Sequence, residues 1–219
     1  MMGFFSRKKN NSSQEITLLG LKGQVATMKC LLMAGLKEVS LKTTVASSEI
    51  NIDQIKSYQY ISKDSVAKSP TLTQGDFSVS GTRAILTFLD VRGKGASLEP
   101  KKARTLGLQN YWIDVCHETL APAAQAVVQG RATEKSQAGL KKLLFSLNSI
   151  LAENQYIVGQ ISFAEPNIAA YIYLLRCSDY DMTTYPNIGN WISRLEEKMS
   201  GPLNIDFLPS QMQPAGQVA

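Results

Sequence analysis

The sequence predicts an α/β N-terminal domain followed by an all-α C-terminal helical bundle. Before about residue 90, short alternating apolar runs are mixed with helical ones, whereas after residue 100 every strong apolar pattern has the period of a helix. Between these parts, residues 91–100 combine glycine, proline and charge without periodicity, which is typical of a linker. We therefore predict a disordered basic tail at 1–14, an α/β domain at 15–90, a linker at 91–100, an all-α domain at 101–202 and a flexible tail at 203–219.

In the N-terminal domain the predicted order is strand, helix, strand, hairpin and helix. The first helix carries apolar residues at spacings of three and four, so one of its faces is buried. The hairpin contains Gln74-Gly75-Asp76, which has the residue types of a tight turn. A βαβ unit followed by a ββα unit is the thioredoxin-like layout, a mixed sheet with helices on both faces. The segments are a strand at 16–20, a helix at 24–35, a strand at 39–43, a polar loop at 46–68 with a weak helix around 50–60, a hairpin at 71–79 and a helix at 82–89.

The C-terminal domain is predicted to contain four helical stretches. They lie at about 100–129, at 134–153, from residue 162 onward and at 187–199. Pro122 interrupts the first stretch, because proline has no amide hydrogen to donate within a helix. Ser162 followed by Glu165 predicts a capping box, in which the hydroxyl accepts from a first-turn amide and the carboxylate accepts from the cap amide.

Composition favours a soluble, intracellular protein. The 219 residues are 44% hydrophobic, enough for a sizeable core, and no apolar run approaches the roughly 18 residues of a membrane span. Arg7, Lys8 and Lys9 follow two phenylalanines with no apolar segment after them, which is the wrong order for a secretory signal. We expect a cytoplasmic location, with a short organellar presequence as the alternative.

The net charge of +5 belongs to the front of the chain. Residues 1–98 carry 13 Lys and Arg against 7 Asp and Glu, whereas residues 99–219 carry 10 against 11. The basic clusters have no interleaved aromatic residues of the kind that a single-stranded nucleic-acid platform uses. We therefore predict a solvated basic surface and no nucleic-acid site.

The cysteines and the single histidine do not predict a metal site. Cys30, Cys116 and Cys177 contain no CxxC pair, and His117 is the only histidine, which is too few ligands for zinc. Cys116 and His117 are neighbours in sequence, but consecutive helical residues do not face each other. Buried structural cysteines beside a surface histidine are favoured over a thiol–imidazole pair.

Three segments resemble the glutathione transferase superfamily. Residues 69–89 resemble its glutathione-binding half, in which a proline leads into a strand, a Gly-Asp turn and a helix that holds the γ-glutamyl end of glutathione. Residues 156–169, with Glu165 where the family usually has Asp, and residues 185–194 resemble its two C-terminal signatures. The resemblance spans about 16–202 in the right order, and it implies the family's two-domain fold and a dimer.

The resemblance implies that one hydroxyl or thiol should donate to the glutathione sulfur, since little of a free thiol is ionised at pH 7. Alignment places Leu18 where some classes carry tyrosine, and Gln24 or Gly23 where others carry serine or cysteine. Leu and Gly cannot donate from a side chain. The remaining catalytic candidates are Gln24 and Thr27, and Thr27, like Thr17, is favoured as a structural residue.

The glutathione-binding residues implied by the resemblance are partly retained. Pro70 would present the backbone of Ser69 to the cysteinyl unit, and Lys68 would meet a carboxylate or remain a solvated loop residue. Gly81 and Thr82 stand where the family has Glu-Ser, so the hydroxyl and the helix amides remain while the acidic group is lost.

Two functions follow from this pattern. The favoured hypothesis is a transferase-like protein that has lost standard thiol activation and acts as a binding or assembly module, with glutathione as a ligand and a homodimer or a larger assembly as its state. The alternative is an active transferase that conjugates glutathione to small electrophiles through an atypical donor. Tyr111, Trp112 and Val115 are candidates for an electrophile pocket, with core packing as the other interpretation.

Overall fold

The structure is a computed structural model that describes residues 14–21, 24–46, 70–178 and 180–199. The predicted tails apart from Gln14, nearly all of the loop at 46–68 and the site candidates Lys68 and Ser69 lie outside these residues. Gly23 lies outside them as well.

The described part of the N-terminal domain contains a four-stranded mixed sheet. β1 pairs with β2 in parallel and with β3 antiparallel, and β3 pairs antiparallel with β4, which gives the order β2-β1-β3-β4. The parallel pair needs a crossover, which α1 supplies. The strands are β1 (Ile16–Leu21), β2 (Lys42–Ala46), β3 (Thr71–Gln74) and β4 (Phe77–Ser80).

Two helices cover one face of this sheet. α1 (Val25–Leu36) and α2 (Thr82–Arg92) pack against each other and against a sheet face that includes Leu18 and Leu72. Leu18 and Leu72 are cross-strand neighbours, and both are fully buried. The predicted helix around 50–60 lies outside the described residues. The described elements confirm the mixed sheet of the thioredoxin-like layout and its helices on this one face.

The prediction for β2 is wrong by three residues. The sequence places this strand at 39–43, but it runs from Lys42 to Ala46. Val39 and Leu41 belong instead to the connection after α1, where both pack partly buried against the sheet core. The two alternating apolar residues therefore belong to a connection that packs on the core. An alternating apolar pattern alone does not distinguish such a connection from a strand.

The C-terminal domain is all helical in its described elements. Its first helical stretch begins at Ala103, three residues after the predicted start. A π turn at Cys116–Leu120 precedes Pro122, so the predicted interruption is confirmed. The wider turn avoids the clash of the proline ring with the carbonyl four residues earlier. The helices are α3 (Ala103–Val115), α4 (Ala121–Val128), α5 (Glu134–Glu153), α6 (Ala164–Arg176) and α7 (Pro186–Lys198).

The capping box at α6 is confirmed. The Ser162 hydroxyl accepts from the Ala164 amide at 3.2 Å, and the Glu165 carboxylate accepts from the Ser162 amide at 2.7 Å. Helical geometry begins at Ala164, so the box closes the chain just before the helix.

α1 belongs to the cores of both domains. Met28 and Leu32 pack in the helical core, whereas Cys30 and Met33 pack in the sheet core. In return, Phe163 of the C-terminal domain packs with the sheet cluster. The two domains therefore share buried surface, and the clefts between them are lined by α1.

Candidate functional site

Three segments converge at one edge of the sheet. β1 ends there, and Leu19 pairs with Thr71, so the end of β1 lies beside Pro70. The amide of Gly81 donates to the Pro70 carbonyl at 3.3 Å, which holds the start of α2 against the start of β3. The structure thus brings together Pro70, Gly81 and Thr82, three of the residues singled out from sequence.

Pro70 is buried and locked between neighbouring strands. Beside it, the Thr71 and Ser80 hydroxyls lie 2.6 Å apart and share a hydrogen bond across β3 and β4. Pairing of Ser69 with glutathione, and the role of Lys68, involve residues outside the described ranges and stay predictions.

The start of α2 is an uncapped, positive helix end. Gly81 precedes it with φ +99°, a left-handed conformation that favours glycine, and its position carries no side-chain cap. The first turn contains no acidic residue. Since the first amides of a helix lack partners within the helix, they present a partial positive charge to an anion.

Among the described residues of the junction between β1 and α1, no accessible side chain carries a hydroxyl or a thiol. Leu18 is fully buried in the sheet core. Thr27 is also fully buried, and its hydroxyl donates to the Gln24 side-chain oxygen at 3.2 Å. Thr27 packs so tightly against Gly20 that a Cβ at position 20 would clash with it.

Gln24 opens onto a cleft between the two domains. This cleft, of about 480 Å³, lies between the start of α1, the end of α4 and the middle of α6. Gln125, Val128 and Leu174 form much of its wall. Sequence analysis missed Tyr171, an aromatic residue of α6 that also lines the cleft. Burial raises the pKa of Tyr171 to about 12.

The three electrophile-pocket candidates on α3 do not line this cleft. Tyr111 is 58% exposed, whereas Trp112 is 7% exposed and packs in the helical core. Val115 packs against the same core. The core interpretation therefore holds for Trp112 and Val115, and Tyr111 lies on the surface.

Burial disfavours the thiolate form of Cys30 and Cys116. Burial raises the pKa of Cys30 to about 12 and that of Cys116 to about 11. The Cys116 thiol donates to the Asn167 carbonyl at 3.3 Å, while the neighbouring His117 is exposed. Within the described ranges, no cluster of three or more His, Cys, Asp or Glu residues forms a metal site.

Comparison with known sequences finds similarity to a glutathione transferase. Glutathione S-transferase D6 of Drosophila melanogaster is 30% identical over 140 residues, which cover 60% of this chain and 65% of that protein. The match therefore spans less than two thirds of the relative's length. No protein-family model matches the sequence.

Similar solved structures cover more of this chain than the sequence match does. A delta-class glutathione transferase of Nilaparvata lugens superposes with a TM-score of 0.70 at 23% identity, covering 90% of this chain and 95% of the other. A glutathione S-transferase I bound with lactoylglutathione superposes with a TM-score of 0.65 at 20% identity, covering 84% of this chain and 94% of the other.

Together, the sheet domain, the helical domain and the clefts between them define a two-domain protein with a thioredoxin-like N-terminal domain. More specifically, the chain has the fold of the glutathione transferase superfamily, and its resemblance to that superfamily is confirmed. Among the described helices, none has the length and apolar character to cross a membrane.

Proposed function

We propose that this protein is a glutathione transferase-like binding or assembly module that has lost standard thiol activation. The observation that carries this proposal is the junction of β1 and α1, where Leu18 is buried and the Thr27 hydroxyl donates to Gln24. Residues 22 and 23, which lie between β1 and α1 in the sequence, are Lys and Gly, and neither has a hydroxyl or a thiol. A bound thiol at this edge would therefore lack the usual donor.

Retention of the glutathione groove is supported by the converging edge. Pro70, Gly81 and Thr82 lie together, and the amides at the start of α2 offer a site for a carboxylate. The related fold of glutathione S-transferase I was solved with a glutathione derivative bound. In this proposal, glutathione or a similar γ-glutamyl peptide is the ligand of the module.

The proposal includes a cytoplasmic location and a homodimer or larger assembly. Cys30, Cys116 and Cys177 are free thiols, as is usual in a reducing compartment. Leu108 and Tyr111 are exposed on α3, and residues three apart on a helix share a face. An apolar surface of this kind supports association with another chain.

Glutathione calorimetry on the intact protein tests the groove, with conjugation to an aryl halide measured on the same sample. We expect saturable binding and no turnover above the rate in buffer. Thr82→Val should weaken binding roughly threefold or more, because it removes one hydroxyl donor. Thr184→Val, an exposed change in the C-terminal domain, is the matched control. Failure of the wild-type protein to bind glutathione refutes the retained groove.

The second candidate function is an active transferase with an atypical donor. It is favoured by the relationship to glutathione S-transferase D6 and by the position of Tyr171, whose side chain lines the same cleft as Gln24. Gln24, Thr27 and Tyr171 are its candidate donors. Turnover that is abolished by Gln24→Ala or Tyr171→Phe, with glutathione binding retained, selects this function over the binding module.

A further inference from the structure

A second interdomain cavity lies between α1, α2, α3 and α6. Its volume is about 150 Å³, and it shares no lining residue with the cleft beside Gln24. Leu86, Ile113 and Phe163 form an apolar wall, and Lys29 lies among them on α1.

Lys29 is buried without a counter-ion. Only 5% of the residue is exposed. Its Nζ lies 5.0 Å from the centre of the Tyr171 ring, a cation–π contact, but none of the ion pairs among the described residues includes it. Burial lowers the pKa of Lys29, the direction expected for a buried lysine without a carboxylate partner.

Lys37 shows how this same chain satisfies a buried lysine. Its Nζ lies 3.2 Å from the Asp90 carboxylate and donates to the Ala96 carbonyl at 2.7 Å. A buried charge is normally paired in this way. Lys29 lines a cavity and has no carboxylate partner among the described residues, whereas Lys37 is paired with Asp90.

The charges around the cavity favour an anion. Arg83 and His117 line it with Lys29, and its lining includes no Asp or Glu. Two acidic groups lie near residues of this lining: Glu99 forms an exposed pair with Arg83 at 3.9 Å, and Asp114 opposes the lowering of the His117 pKa that burial and Lys29 cause.

We propose that this cavity binds a small organic carboxylate, with its charged group on Lys29 and its apolar body against Leu86, Ile113 and Phe163. The volume matches this ligand class, since an apolar cavity of about 150 Å³ is large enough to hold a benzene ring. The inference goes beyond the proposed function because it requires neither glutathione nor the Gln24 cleft, although Thr82, which the proposed groove also uses, lines this cavity.

Binding of benzoate to the full-length protein, followed by calorimetry, tests the site without any glutathione present. Benzyl alcohol is the neutral comparator of similar shape, and inorganic phosphate is the anionic comparator without an apolar body. We expect benzoate to bind about tenfold or more tightly than either. Equal affinity for benzyl alcohol overturns the role of charge, and equal affinity for phosphate overturns the role of the apolar wall.

Lys29→Met removes the charge while keeping the length of the side chain. We expect it to fold, since it deletes an unpaired buried charge, and to weaken benzoate binding about tenfold or more. Lys141→Met, an exposed change on α5, is the matched control and should bind benzoate as the wild type does. Unchanged benzoate affinity in Lys29→Met refutes the site; should that variant not fold, the wild-type comparison with benzyl alcohol still decides it.

Discussion

Glu165 is fully buried, and three hydrogen bonds converge on its carboxylate. One oxygen accepts from the Ile157 amide at 2.9 Å, and the other accepts from the amide and hydroxyl of Ser162 at 2.7 and 2.8 Å. This one side chain fixes the loop before α6 to the start of the helix. The capping box therefore closes a loop as well as a helix end.

Glu165→Gln should lower the free energy of unfolding by about 1–3 kcal/mol, measured by denaturant unfolding. An amide has one NH₂ group, which must face either the Ile157 donor or the Ser162 donors. Glu153→Gln, exposed at the end of α5, is the control and should cause no measurable loss. Equal stability of the two variants would show that the three donors do not depend on the carboxylate.

Glu165 also predicts how stability changes with pH. Burial raises its pKa from the ordinary 4.5 to about 7, although the hydrogen bonds from Ile157 and Ser162 oppose this rise. Between these values the folded state binds more protons than the unfolded state, so the contribution of Glu165 to stability falls as pH rises. Denaturant unfolding across this window should show that decline in the wild type and a smaller one in Glu165→Gln. An identical pH dependence in both proteins would assign the titration to another group.

At the residue scale, the sequence predicts polar contacts between partners that lie within one helical turn. It does not predict the burial of a side chain by elements that are distant in sequence. The Ser162–Glu165 pair was predictable because both partners lie within one turn. The burial of Lys29 was not, because a lysine on an amphipathic helix usually marks a solvated face, and only the packing of α1 against α6 shows otherwise. The resemblance alone placed Pro70 and Gly81 in one binding site, and the hydrogen bond between their backbones was not predicted.

At the scale of elements, a buried ion pair fastens the end of α1 to the end of α2. Lys37 and Asp90 have side chains that are only 1% and 4% exposed, and their charged atoms lie 3.2 Å apart. Asp90 also accepts from the Ser97 hydroxyl and the Leu98 amide. α2 reaches Arg92, two residues into the predicted linker, and the residues that follow are held by these contacts.

Lys37→Met should lower the free energy of unfolding by about 3 kcal/mol or more, because it leaves the Asp90 carboxylate buried without its cation. The double variant Lys37→Met with Asp90→Asn should lose less than the sum of the single losses. Lys94→Met breaks the exposed pair with Glu38 and serves as the control, with little change expected. Additive losses in the double variant would contradict a coupled pair.

Elements were predicted best where one face dominates the pattern. α5 runs over 134–153, as its apolar spacing predicts, whereas β2 was misplaced because Val39 and Leu41 alternate within a connection. Pro122 correctly indicated an irregularity in the first long helical stretch. The helix does not end there, because a π turn at Cys116–Leu120 accommodates the proline.

At the scale of the whole molecule, α1 couples the two domains. Its residues pack in both cores, and helix α6 packs directly against it. Both interdomain cavities are lined by this helix, one near Gln24 and the other near Lys29. A ligand in either cavity therefore contacts residues of both domains.

The exposed face of α3 predicts the assembly state. If the protein forms the proposed dimer through this face, Tyr111→Lys should raise the dissociation constant about tenfold or more, because it places a charge in an apolar contact. Sedimentation equilibrium measures this change. Phe145→Lys, an equally exposed aromatic position on α5, is the control and should leave the mass unchanged. A monomeric wild-type protein at micromolar concentration would contradict the dimer.

The central claim concerns the thiol of bound glutathione, and its pKa is the most direct measurement. Ultraviolet absorbance of the thiolate, titrated with saturating protein and corrected for the protein alone, reports this pKa. Without a donor at the junction of β1 and α1, the bound thiol should titrate close to the ordinary cysteine value of about 8.5. A bound thiol that is largely ionised at neutral pH would show that the protein activates it, and would contradict the account.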